Sequence, residues 1–171
     1  RNFKFNSNLS YIYSRVDLTD QEFNLRKNIN PDLKTWRPFA NQSPYIINLN
    51  LTYENPESGW QGSIYANTFG PRIDANGSGA APDVYEIYSQ IDNKEENRIE
   101  NNIPTPELNF KIEKELTQFL SASLSVQNIL DYSIVTYQEA LNTEGTETVF
   151  YTNSIQNPGR TFSLSLSYSM N

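Results

Sequence analysis

The sequence predicts an all-β fold, an antiparallel sheet of the transmembrane β-barrel kind with short turns at one end and long loops at the other. Three observations lead there. Apolar and polar residues alternate with period two in six segments. Aromatic rings mark the ends of the apolar faces and aliphatic side chains their middles. The joins between segments alternate short and long, as they do in antiparallel membrane barrels.

In the first segment Phe3, Phe5, Leu9, Tyr11 and Tyr13 share a face, opposite Lys4, Asn6, Asn8, Ser10 and Ser14. The second sets Tyr45, Ile47, Leu49, Leu51 and Tyr53 against Asn48, Asn50 and Thr52. The third runs from Trp60 to about Phe69 and is the weakest, because Tyr65 and Phe69 fall out of phase with Trp60, Ile64 and Ala66. Leu108, Phe110 and Ile112 oppose Glu107, Asn109, Lys111 and Glu113 in the fourth, and Leu120, Ala122, Leu124 and Val126 oppose serines and Gln127 in the fifth. The sixth sets Phe162, Leu164, Leu166 and Tyr168 against Ser163, Ser165, Ser167 and Ser169.

Alternation alone does not separate a soluble sheet, apolar within, from a membrane barrel, apolar without. The rings favour the membrane. Phe3, Phe5, Tyr11, Tyr13, Tyr45, Tyr53, Trp60, Phe162 and Tyr168 are the expected lipid-facing girdle. At about 3.3 Å per residue and a tilt near 40°, Tyr45 to Tyr53 spans roughly 20 Å and Phe3 to Tyr13 roughly 25 Å along a barrel axis, the height of an apolar band. The joins Asn55 to Gly59 and Lys114 to Gln118 are tight, while Asp17 to Gln42, Pro71 to Pro104 and Asp131 to Gly159 are long and expected to be functional. On that scheme the first, third and fifth strands run outward and the C-terminus is periplasmic. A soluble sandwich whose core holds the same aromatic residues is the competing fold.

Composition closes off other classes. The chain has 171 residues, 37% of them hydrophobic, so it should fold rather than stay disordered. A net charge of -7 and no basic patch argue against nucleic acid as a partner. With neither Cys nor His, there are no disulfides, no ordinary zinc site and no Ser-His-Asp or Cys-His catalysis from this chain. No pair of loop carboxylates stands out for glycoside cleavage and no phosphate-cradling glycine pattern occurs, so no enzyme activity, catalytic residue, cofactor or resident metal is expected. Arg1 already lies within a strand pattern, and six strands are too few to close a membrane barrel, so either the chain is part of something longer or a second chain is expected to supply the remaining strands.

Candidate ligand-binding residues sit in the long joins: Trp36, Arg37 and Phe39 in the first, Tyr85 and Tyr88 in the second, Tyr132, Tyr137, Phe150 and Tyr151 in the third. Such rings stack on sugars, peptide side chains or aromatic ligands. The competing reading is that they pack the loops against one another or against a surface lipoprotein. Asp74, Asn76 and Gly77, with Asp83 nearby, form only part of a calcium-loop pattern, since the full spacing and closing Glu are missing. The run Asp92 to Glu100 reads as a solvated charged face, and the sequons at Asn8 and Asn50 as chance matches within strands.

The stretches "SPYIINLNLTYENPESGWQGSIYANTFGPRI", "SLSVQNILD" and "NPGRTFSLSLSYSM" resemble the C-terminal end of a TonB-dependent outer-membrane receptor of the Bacteroidota type. The resemblance covers nearly the whole chain and rests on strand and turn patterns, not on catalytic chemistry. It implies that residues 1–171 are about the last six strands of a 22-stranded plugged barrel in the bacterial outer membrane. The partners it implies are outer-membrane lipid, the remaining barrel strands, an N-terminal plug domain and, through the plug, periplasmic TonB. The implied activity is TonB-energised uptake of a nutrient: a siderophore, a glycan or a peptide. The family's last strand commonly ends on an aromatic residue, whereas here Ser169, Met170 and Asn171 follow Tyr168. Two other readings stand beside it: a barrel serving as a structural or docking subunit of an envelope complex, and a soluble ligand-binding sandwich.

Overall fold

The structure is a computed structural model describing residues 2–90 and 104–169; Arg1, the charged run Asp92 to Glu100, Met170 and Asn171 lie outside the described residues. In chain order the elements are β1 (Phe3–Tyr11), β2 (Val16–Asp17), α1 (Asp20–Lys27), β3 (Trp36–Arg37), β4 (Tyr45–Asn55), β5 (Trp60–Phe69), β6 (Arg72–Ala75), β7 (Val84–Ser89), β8 (Glu107–Thr117), β9 (Leu120–Gln127), β10 (Ser133–Leu141), β11 (Thr148–Gln156) and β12 (Thr161–Tyr168). The fold is all-β apart from α1, and every strand pairing is antiparallel.

The six alternating segments become one six-stranded sheet in the order β1-β4-β5-β8-β9-β12. The sheet is open, with β1 and β12 at its edges. Residues directly opposite in an antiparallel pair share a face, and the registers line the apolar positions up across all six strands. One row reads Phe5, Leu51, Ile64, Phe110, Val126, Phe162; the next reads Phe3, Tyr53, Gly62, Ile112, Leu124, Leu164. The intervening positions give a polar face, for example Lys4, Thr52, Ser63, Lys111, Ser125 and Ser163, broken at the cap end by the pair Ile46 and Phe69.

Among the described residues nothing packs over the apolar face. Leu49 and Ile64 keep 40% and 44% exposure although strands flank them on both sides, and the edge residues Leu9 and Leu164 reach 74% and 77%. Eight of the nine expected girdle rings lie on this face at or near strand ends. Tyr13 falls beyond the end of β1, its ring 6.0 Å from that of Trp36. Tyr65 belongs to the polar face, where its hydroxyl donates to Asn48 Oδ1 at 2.8 Å. Phe69 closes β5 opposite Ile46, its ring edge-on to that of Tyr88 at 4.6 Å.

The short turns follow their side chains. Asn55 Oδ1 accepts from Ser58 N, and Gly59 takes φ +63 where an added Cβ would meet Glu115 Cβ at 2.9 Å. The second turn is tighter than its sequence suggests, because β8 runs through a bulge to Thr117, whose Oγ1 accepts from the Phe119 and Leu120 amides.

Among the described residues the long joins carry regular structure of their own. The second and third supply a second, four-stranded sheet in the order β11-β10-β7-β6. Each of its strands continues a strand of the first sheet in the same lateral order: β6 follows β5, β7 precedes β8, β10 follows β9, and β11 precedes β12. Its core is Ile87, Val135 and Tyr137, with Tyr85, Phe150 and Ile155 packed against them. The break between β9 and β10 is held by Asn128, buried at φ +53. Its Oδ1 accepts from Tyr132 N, its Nδ2 donates to the Tyr132 and Gly159 carbonyls, and its own amide donates to Asn109 Oδ1.

Asn128→Ala removes three side-chain hydrogen bonds at a left-handed position and should cost about 3 kcal/mol. Hydrogen exchange should show the loss in β10 and β11 while β4, β5 and β8 keep their protection; a uniform loss across both sheets would contradict this division.

Candidate functional site

The three long joins form one interlocked cap at one end of the six-stranded sheet. Its first part is α1, preceded by Thr19, whose Oγ1 accepts from the Glu22 amide at 3.2 Å. Asp20 and Glu22 sit in the first turn and Arg26 and Lys27 in the last, matching the helix dipole.

Arg26 is 2% exposed and reaches from α1 into the second join. Its guanidinium donates to Asp83 Oδ1 at 2.9 Å, to the Gly79 carbonyl at 3.3 Å and to the Gly77 carbonyl, and pairs with Glu22 at 2.7 Å. Arg37 joins the same two carboxylates, at 2.8 Å to Asp83 and 3.3 Å to Glu22. The Gly77 amide also donates to Asp83 Oδ1. Gly77 leaves no room for a side chain, since a Cβ there would collide with the Ala81 and Pro82 carbonyls. Two guanidinium groups and two carboxylates thus neutralise each other, Arg26 and Asp83 buried and Arg37 and Glu22 partly exposed, and deleting Asp83 leaves the buried Arg26 charge short of its partner at a cost of about 3–5 kcal/mol.

The aromatic candidates divide into two groups. Tyr85 stacks on Tyr137 at 5.6 Å, Tyr137 meets Phe150 edge-on at 5.4 Å, and Tyr88 stacks on Tyr132 at 4.3 Å. These five rings pack the joins against each other. Burial raises the phenol of Tyr85, with Glu139 and Asp83 adding to the effect, and pushes that of Tyr132 up to about 12, with help from Glu107. The remaining candidates lie outward. Phe39 is 53% exposed, and Tyr151, whose hydroxyl donates to the Leu141 carbonyl, is 41% exposed. Trp36 lies half-buried in β3 with Arg15 and Lys34 over its ring at 5.8 and 5.1 Å. Arg37 belongs to the ion cluster rather than to this outer surface.

Asp83, weighed with Asp74, Asn76 and Gly77 as part of a calcium loop, spends its carboxylate on the two arginines; among the described residues no cluster of acids is placed to hold a metal. A cavity of about 30 Å³ lies beside the cluster, lined by Arg26, Asn30, Tyr85 and Glu139 among others, room for a water and no more. The ion cluster was missed in the sequence. One signal was available: Thr19 followed three residues later by Glu22 is a capping-box pattern, which announces α1 and so brings Arg26 onto a helix. Nothing local pairs Arg26 with Asp83, 57 residues away.

No protein-family model, curated protein or solved structure matches the chain.

Glu139 supplies a pH test of the cap. Burial holds its carboxyl above the ordinary value of 4.5, Asp32 adding to the shift, while the hydrogen bond from Asn30 and the charge of Lys34 oppose it. The folded cap therefore binds this proton more tightly than the unfolded chain does. Its contribution is fully present below the unfolded value and is lost as pH rises through the folded one. Glu139→Gln should stabilise the cap at neutral pH and flatten its stability as pH rises from the ordinary value of 4.5. Parallel unfolding curves for the two proteins over that range would refute the assignment.

Proposed function

We propose that this chain is a wall segment of an outer-membrane β-barrel, and that the barrel is a TonB-dependent receptor taking up a nutrient. The single observation that carries the membrane part is the uncovered apolar face, continuous over six strands and framed by rings. A face this large exposed to water is an association or membrane surface in any soluble setting. Strands of 8 to 11 residues suit a tilted crossing of an apolar band about 25 Å tall. The edges β1 and β12 present unpaired backbone groups, which lipid does not tolerate, so further strands are required on both sides. The cap then lies outside the cell and the two short turns in the periplasm.

The receptor part rests on the resemblance of the three quoted stretches to that family. In this reading the polar face, with its opposed pairs Ser121/Ser167, Ser123/Ser165 and Ser125/Ser163, meets the plug and the substrate path. Small hydroxyls permit close approach there and offer both donors and acceptors. The docking-subunit reading draws support from the cap, because five of its candidate rings are committed to each other. Crosslinking in intact cells separates the two: a receptor of this class is captured with TonB through its plug, whereas a docking subunit is not.

The membrane part has a sharper test. Leu51 lies mid-strand on the apolar face and Asn50 beside it on the polar one. In lipid vesicles Leu51→Arg should cost about 2–4 kcal/mol of folding stability, and Asn50→Arg less than about 1 kcal/mol. A monodisperse, detergent-free polypeptide in which both substitutions cost the same would overturn the reading.

A further inference from the structure

Past the apolar face of β1 the side chains change character in chain order. Leu9 is aliphatic and Tyr11, 80% exposed, closes the strand; Tyr13, 66% exposed, and Arg15 follow beyond its end. The pairing reaches one step past the strand, since the Ile12 amide donates to the Pro44 carbonyl next to the Tyr11↔Tyr45 pair. The pairing of β2 with β3 then sets Trp36 opposite Asp17. The Trp36 ring lies 6.0 Å from Tyr13, with Arg15 and Lys34 held over it. Hydrocarbon, amphipathic rings and cations thus follow one another from β1 into the cap, as the acyl chains, interface and headgroups of a bilayer leaflet do.

We propose that Arg15 and Lys34, seated on Trp36 just above the outer girdle, bind the phosphate-bearing headgroup of an outer-leaflet lipid. The inference rests on the membrane reading above. Charge supports this occupant: in a chain of net charge -7 these two cations gather over one ring next to the end of the apolar strand β1. Among the described residues no carboxylate makes an ion pair with Lys34. Arg15 pairs with Asp17 at 2.6 Å, 48% and 69% accessible, with the Tyr13 phenol beside it, and a phosphate competes readily with so exposed a pair. The ring beneath restricts both long side chains, so less freedom is lost when the anion arrives.

The test uses the full polypeptide bearing this sequence in phosphatidylcholine nanodiscs doped with phosphatidic acid, bound lipid being counted by native mass spectrometry. Wild-type protein should retain phosphatidic acid. The Arg15→Gln/Lys34→Gln double variant should retain about tenfold less, and Lys4→Gln, which removes a charge at the other end of β1, as much as wild type. Diacylglycerol of the same chains should not be retained, and inorganic phosphate at matched concentration should not displace the lipid. Equal retention by the double variant in intact nanodiscs would overturn this proposal alone, and displacement by inorganic phosphate would make the site one for the free anion. Wild-type protein that fails to enter nanodiscs would overturn the membrane reading and this inference with it.

Discussion

Five cross-strand registers determine what the six-stranded sheet presents to its surroundings. The side-chain period of a strand is two, so a slip of one residue in any pair would place one half of the sheet with its serines, asparagines and lysines among the apolar residues of the other. The polar face reinforces the observed alignment. Asn48 accepts from both Tyr65 and Asn67 of the neighbouring strand, and Lys4 pairs with Glu54 at 2.6 Å. Those exposed contacts add little energy individually. Their value is in specifying register, since a one-residue slip would separate every one of them together.

The cap inherits its order from the same registers. Because β5, β8, β9 and β12 are neighbours, the strands that extend from them, β6, β7, β10 and β11, emerge already side by side and need only short breaks to pair again. Asn128 and Gly159 make one such break, each with positive φ, and Asn128 bonds across to the other. The first join has no strand above it to continue. It is held instead by charge, through Arg26 and Arg37 on Asp83, and by the Leu141 amide donating to the Ile29 carbonyl. A buried ion cluster is a weak source of net stability, because desolvation offsets much of the attraction. It is selective about geometry, however, and here it fixes where α1 lies on the second join.

Legibility in the sequence followed burial. The strands of the six-stranded sheet were readable because each has one apolar and one polar side, which is what period two detects. The strands of the second sheet were not, because the pattern there is mixed. In β10 the buried positions are Ser133, Val135 and Tyr137, interleaved with the apolar Ile134, so composition and burial disagree residue by residue. In β7, Ile87 and Ser89 are buried and the intervening Tyr88 is spent on Tyr132 and Phe69. The candidate rings were correctly placed in the long joins, yet residue type says nothing about whether a ring meets a ligand or another ring. That choice is made by pairing partners far away in the chain, such as Tyr85 with Tyr137.

The packing of those rings bears on how a receptor built on this wall would capture its ligand. Three independent loops, each free to move, would lose conformational freedom on binding. Here the second and third joins share a sheet and a core, and the ion cluster ties the first to the second, so most of that ordering has already been paid in folding. Stacking surface remains at Trp36, Phe39 and Tyr151, on the outside of the cap rather than between its parts. Trp36 is further engaged by two cations and Tyr13 on the side of the apolar face, which leaves Phe39 and Tyr151 as the rings open to a soluble ligand. On the receptor reading proposed above, capture would proceed by fit to a preformed outer surface, and selectivity would depend on the polar groups around those two rings more than on loop closure.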